Sequence, residues 1–369
     1  MAKIDNILLK SKFRGCLLGA LLGDCLGAPF EGEAMTSGGK LVLQKYFDKL
    51  DGPYFRAPVK KYTDDTAMTK SVAKCLIDKP AVDFKCMARL FVKEYFADPR
   101  RGYGQNVVDV FNKLRGSKFE DIYKPAQEQF GGMGSYGNGG AMRVAPLALY
   151  FHNNYKGMIE AVTHATKITH TNKLGVNGAL LQAIAIQQSL LMDPVDKIDV
   201  EHFTNQLIDK MKDIETVEED DEDINIEDQL PYQTKLKAMQ ELLTAEESDL
   251  SDTYVITNLG NNISALGSVP TAIYCFLKAQ SEIPGIKADN TFRRTIQYAI
   301  SLGGDTDTIA SMAGSIAGAF LGEEYINESL IKHCEFQKEM IEVADNLYAV
   351  AEDTKEALLR KRYGHLYFF

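Results

Sequence analysis

Residues 14–27 read RGCLLGALLGDCLG and place glycine at 15, 19, 23 and 27. Residues four apart fall on nearly one face of an α-helix. A glycine face lets a second backbone come close, and this outweighs the ~1 kcal/mol per residue that glycine costs inside a helix. Near the other end, residues 301–320 read SLGGDTDTIASMAGSIAGAF, and the device recurs at Ala310, Gly314, Gly318 and Gly322. Small-residue stripes also mark membrane dimers, but a span needs about 20 apolar residues. The apolar runs at 16–30 and 309–321 are respectively broken by Asp24 and too short. The pattern predicts two tightly packed core helices from opposite ends of the chain, inside one all-α domain covering 1–369.

Helical periodicity extends over 66–79, 82–97, 105–115, 141–151, 173–191, 200–213, 233–246, 268–280, 290–302 and 328–350. Strand alternation is scarce and β-α-β units cannot be laid out. A net charge of −10 argues against a nucleic-acid groove, so no direct DNA binding is expected. The six cysteines (16, 25, 75, 86, 275, 334) form no C-x-x-C pair or zinc spacing and read as reduced thiols of an intracellular protein. The segment MAKIDNILLKSKFRG has neither secretory nor transit character. No membrane segment is expected. Residues 215–228, ETVEEDDEDINIED, carry nine acidic groups and no basic one, which predicts a solvated, mobile surface loop.

Two acidic clusters hold the chemistry. Asp305 and Asp307 stand at the mouth of the second striped helix; Asp64 and Asp65, in YTDDTA, open another helix with Thr63 as its N-cap. Thr and Asp are what helix N-termini prefer. One such cluster would be read as a cap. Two, each joining Thr with paired Asp, supply four carboxylates where capping needs one oxygen. An all-oxygen set of this kind suits a hard divalent cation such as magnesium.

The loop GGMGSYGNGG at 131–140 has six glycines. Its G-x-G-x-x-G match at 132, 134 and 137 lacks the preceding strand, and no G-K-[ST] follows, so dinucleotide and P-loop readings fail. Ser135 is not in a nucleophile elbow. The exposed N–H groups of such a loop can cradle an anion such as phosphate. Phe130 and Tyr136 flank the loop and either pack or stack a flat base. His164 and His170, six apart, have no metal spacing and default to satisfied core or loop residues.

Together TDDTAM (63–68), GSYGNGGAMR (134–143) and SLGGDTDTIA (301–310) resemble the ADP-ribosyl-glycohydrolase family, and within it the serine-specific type. The likeness runs from Phe13 to about residue 350 and takes in FRGCLLGALLGDCLG, DPRRGYG and SVPTAIYCFL. It implies a single all-α domain with a metal site at helix N-termini and two magnesium ions. Thr63, Asp64, Asp65 and Asp307 would hold one ion; Asp305, Asp307, Thr308 and Glu31 would hold the other. Glu31 would sit on a mobile flap as the catalytic acid/base, with Asp305 as helper. The pyrophosphate would run along Met133, Gly134, Ser135, Tyr136, Gly137, Asn138 and Gly139. The adenine would stack by Phe130 and Tyr136, His170 and Ile263 would line the nucleotide site, and Asp64 would also touch substrate.

The resemblance implies cleavage of the ADP-ribose C1″–O bond, with serine-ADP-ribosylated proteins, poly(ADP-ribose) and O-acetyl-ADP-ribose as substrates. Such cleavage passes through an oxocarbenium-like transition state, which carboxylates stabilise. A monomer of cytoplasm and nucleus, or of the mitochondrial matrix, is the matching expectation. The competing readings are arginine-ADP-ribose hydrolysis, a metal phosphohydrolase (weakened by the lack of an adjacent His-Asp pair) and an ADP-ribose-binding module without turnover.

Overall fold

A computed structural model describes residues 5–52, 54–216, 229–245 and 251–363. Among these the architecture is all-α: the only β pairings are isolated bridges at Lys60–Cys334 and Gly137–Ser264. The two glycine-striped helices, Asn6–Gly27 and Thr306–Leu321, form the central pair. A Cβ on Gly15 would lie 2.5 Å from the Gly318 carbonyl oxygen, and on Gly19 or Gly23 it would overlap the carbonyls of Gly314 or Ala310. The stripes therefore do what their spacing predicts. Helix Asn6–Gly27 has the length and apolarity of a membrane span, yet from Phe13 onward nearly all of it is buried among the chain's own helices.

Around the pair pack helices Lys173–Leu190, Val269–Lys278, Thr291–Ser301 and the long Gln337–Tyr363. One continuous apolar cluster joins them to helices Asp64–Asp78 and Phe84–Ala97. Expected and observed helices agree within about two residues over most of the chain.

Four expectations need correction. A helix over 328–350 is expected, but the chain makes Glu328–Ile331, breaks, and restarts at Gln337. The break is tertiary: Lys60 pairs with the segment through its N–H to His333 O (2.7 Å) and its carbonyl to Glu335 N (2.8 Å). The expected helix 141–151 is a 3-10 turn, Ala141–Arg143, followed by helix Ala145–Tyr150 with Pro146 in its first turn, where proline is tolerated. Helices Ser37–Asp51, Tyr155–Lys167 and Asp252–Leu259 are absent from the expected set; the first two carry glycine near their starts, and the third is short and rich in β-branched residues. Of the acidic stretch 215–228, residues 217–228 lie outside the described residues. Glu215 is not a solvated loop residue: it is buried and accepts the N–H groups of Tyr232 and Gln233 at 3.0 Å, capping helix Pro231–Thr244.

Candidate active site

The end of the central pair is where the acids meet. Gly27 closes the first helix against Asp307, whose Cα would lie 2.7 Å from a Cβ on Gly27. After Gly27 the chain makes a 3-10 turn, Ala28–Phe30, with Pro29 inside it, and presents Glu31. The Gly32 N–H donates to Gly304 O (2.9 Å), tying the Glu31 turn to the glycine turn before Asp305. Ligand oxygens of Glu31, Asp305 and Asp307 lie within 4.8 Å of one another.

Helix Asp64–Asp78 brings its first turn to the same place. Thr63 is its N-cap, as the sequence pattern predicts, with Oγ1 accepting from Asp65 N at 3.4 Å. The Asp65 side chain is reached by the hydroxyls of Thr63 (3.3 Å) and Thr308 (3.2 Å), while its other oxygen is buried without a partner. Asp305 occupies the N-cap position of helix Thr306–Leu321 but caps nothing; its Oδ2 accepts from Asn138 Nδ2 at 2.6 Å. Glu31, Asp64, Asp65, Asp305, Asp307 and Thr308 all face one cleft of about 270 Å³. Thr63 stands behind it, against Asp65.

The electrostatics are lopsided. Burial pushes the carboxyls up, and their neighbours push further: Asp64 to about 8 with Asp24 and Asp305 near, Asp307 to about 9 with Asp305 and Asp24 near, and Asp65 well above the carboxylate range. Asp305 rises through burial alone, against the hydrogen bond from Asn138. Glu31 rises through partial desolvation and then Asp305. Among the described residues no lysine or arginine is ion-paired to any of them. Buried carboxylates left like this are destabilising unless a cation compensates them. The donor set is all oxygen, and one buried oxygen of Asp65 has no partner. These residues fit a hard divalent ion.

The opposite wall is the glycine loop. Ser135, Gly137, Asn138 and Gly139 line the cleft with His170 and Ile263. Asn138 N–H donates to Ile263 O and Ala265 N–H to Tyr136 O, both at 3.0 Å, docking the loop on segment 261–265. Gly139 packs on the His170 ring, where a Cβ would come within 2.8 Å of Cε1. His170 is buried, bonded through Nδ1 to Thr169 Oγ1 (2.7 Å) and held neutral by burial and by Arg143. His164 stays outside the cleft, bonded to the Tyr123 hydroxyl at 2.9 Å. Phe130, Met133, Gly134 and Tyr136 lie outside the lining; Met133 is 71% exposed, and the Phe130 and Tyr136 rings lie 6.1 Å apart.

Three contributors lie inside stretches that carry the resemblance but received no role from the sequence. Arg143, inside AMRVAP, is buried on the cleft wall and donates to Ala165 O and Thr169 Oγ1. Gly102, Tyr103 and Gly104 line the cleft from a turn whose Arg101 carbonyl accepts the Asp64 N–H at 2.6 Å. Asp24, in sequence only an interruption of an apolar run, is fully buried and hydrogen-bonded to Thr63 and Thr66.

A sequence profile of ADP-ribosylglycohydrolase matches residues 5–357. The chain belongs to the ADP-ribosylglycohydrolase family. It is 42% identical to mouse ADP-ribosylhydrolase ARH3 over 93% of each chain, and 42% identical to the human protein over 92% of this chain and 93% of that one. The chicken protein of the same name is 43% identical over 92% of this chain and 93% of its own. A solved structure titled ADP-ribosylglycohydrolase-related protein complex superposes with a TM-score of 0.66 at 20% identity, covering 94% of this chain and 99% of that one. That likeness bears on the fold, which is the family's all-α architecture. Membership makes the protein a hydrolase of ADP-ribose glycosidic linkages.

Proposed function

We propose that this chain is a magnesium-dependent hydrolase that releases ADP-ribose from serine of modified proteins, shortens poly(ADP-ribose) and cleaves O-acetyl-ADP-ribose. The observation that carries the reading is the crowding of Glu31, Asp64, Asp65, Asp305 and Asp307 on one wall of a cleft whose other wall is a glycine loop. Carboxylates suit a developing oxocarbenium ion, and loop N–H groups suit a pyrophosphate. The proposed preference for serine rests on the resemblance of TDDTAM, GSYGNGGAMR and SLGGDTDTIA to the serine-specific type.

Thr63, Asp64, Asp65 and Asp307 would hold one ion, and Glu31, Asp305, Asp307 and Thr308 a second. When bound, such ions orient ribose hydroxyls and lower the pKa of an attacking water. The chain's own residues do the rest. Asn138 fixes the Asp305 carboxylate while its backbone anchors the loop, so the phosphate wall and the acidic wall share one residue. Neutral His170 backs the loop without adding charge. Glu31 stands at the open edge on a short turn, where a carboxyl can take a proton from water or give one to the leaving oxygen. A base lying between Phe130 and Tyr136 needs about 7 Å, two stacking distances. The rings are 6.1 Å apart and tilted by 35°, so a base would stack between them only if they separate.

Incubation with serine- and arginine-linked ADP-ribosyl peptides, with and without chelator, tests the proposal by product mass. Free ADP-ribose from the serine peptide, abolished by chelator and restored by magnesium, is expected. Comparable rates on both peptides would reject serine preference. AMP plus ribose phosphate would indicate phosphohydrolysis, and no product a binding module.

A further inference from the structure

The first backbone N–H groups of any α-helix have no partner inside it. In several helices of this chain the N-cap side chain supplies one, as do Thr36, Asp83, Asn154 and Asp199. Helix Asp64–Asp78 has such a cap in Thr63 and, beyond it, a second acceptor from another helix. The Thr63 N–H donates to Asp24 Oδ1 (3.0 Å) and Oδ2 (3.1 Å), and the Thr66 N–H to Asp24 Oδ2 (3.1 Å). The Thr66 hydroxyl adds a third donor to Oδ2 at 2.5 Å. Between them, the Asp64 N–H goes to Arg101 O (2.6 Å) and the Asp65 N–H to Thr63 Oγ1 (3.4 Å). None of these groups uses the carboxylate of Asp64 or Asp65.

Asp24 comes from another helix, and its place there is rigid. It follows Gly23, which abuts the Ala310 carbonyl so closely that no Cβ fits. The backbone carrying Asp24 is thus locked to the helix that carries Asp305 and Asp307. It does not line the cleft, and both its oxygens are occupied by Thr63 and Thr66.

We propose that Asp24 is a positioning residue: a cap lent by helix Asn6–Gly27 to helix Asp64–Asp78, which leaves the Asp64 and Asp65 carboxylates free of their own helix's N–H groups and in register with Asp305 and Asp307. The inference rests on the divalent-cation reading of the site. Without Asp24, the first-turn N–H groups compete for Asp64 and Asp65, the ordinary partners of a helix start.

Calorimetric titration of magnesium into the full chain tests it, on wild type, Asp24→Ala, Asp24→Asn, Thr66→Val and Leu207→Ala. Leu207 is fully buried in helix Val200–Lys212 and serves as the destabilised control. Asp24→Asn keeps one acceptor but sets an amide N–H₂ against the Thr63 N–H. Both Asp24 variants are expected to bind magnesium at least tenfold more weakly with helical circular dichroism retained. Thr66→Val should fall in between, and Leu207→Ala should lose melting temperature but keep its affinity. If Asp24→Ala does not fold, Asp24→Asn and Thr66→Val carry the measurement. Wild-type affinity in those folded variants, with magnesium bound by the wild type, overturns the positioning role. No magnesium binding by the wild type overturns the cation reading, and this inference with it.

Discussion

The glycine seam and the acidic mouth share the same two helices, with the start of helix Asp64–Asp78 added at the mouth, yet they obey opposite rules. Along the seam, backbone meets backbone and nothing larger than hydrogen fits at Gly15, Gly19 or Gly23. One turn further, at Gly27 and Asp307, the same close approach delivers like charges into one cleft. The seam gains from contact and the mouth is strained by it. A scaffold this intolerant can hold mutually repelling carboxylates in register until a cation joins them.

The sharpest break of the contrast is Gly19→Val. It drives Cβ into the Gly314 carbonyl, so destabilisation should exceed the ~1–3 kcal/mol usual for overpacking. Loss of soluble folded protein, or of the cooperative melt, is the expected readout; a normal melt would mean that the helices can separate. At the mouth the converse holds. Asp307→Ala should keep the fold while turnover and magnesium affinity disappear together, read by assay and calorimetry on one sample. Retained magnesium affinity would remove Asp307 from the ligand set.

Glu31→Gln divides chemistry from binding. Single-turnover hydrolysis should fall by about 10²–10⁴, the usual loss with a general acid or base. ADP-ribose affinity should stay within about tenfold, since the glycine loop and the aromatics hold the nucleotide. Near-normal turnover in a folded, metal-loaded variant would free Glu31 of the role.

A pH series separates the regions without mutation. Carboxyls whose folded pKa values are raised leave the folded state holding more protons than the unfolded chain. Stability of the metal-free protein should therefore fall as pH rises from near 4, the unfolded value, through about 8 for Asp64 and 9 for Asp307, and then level off. Saturating magnesium should flatten the melting-temperature profile over pH 5–9, and a chelator should restore the slope. Equal profiles with and without metal would mean that magnesium does not neutralise these acids. The smallest effect is at the rim: Phe130→Ala should weaken ADP-ribose by roughly 0.5–1.5 kcal/mol, the range of an aromatic pair, with kcat little changed.

The seam was legible because a four-residue period has one geometric meaning. The acidic clusters were legible because Thr-Asp-Asp and Asp-Thr-Asp exceed what capping requires. Asp24 was not, since one acid in an apolar run looks like an interruption until Thr63 and Thr66 are seen around it. The break at 332–336 was hidden for a related reason: it depends on Lys60, far away in sequence. Arg143 sat inside an expected helix, and only its burial beside His170 and Thr169 gives it a place in the site.

The partners of the seam begin 300 residues apart, at Asn6 and Thr306. During synthesis the first of them is made some 300 residues before its mate. Contacts of such long separation in sequence form late and slowly. Asp24 and Glu31 accordingly meet the helix of Asp305 and Asp307 only after that long stretch has been made. An unfinished copy exposes an apolar glycine-rich helix and carries half a set of acids. Such a fragment is expected to release no ADP-ribose, and its exposed apolar helix favours aggregation until the second striped helix arrives.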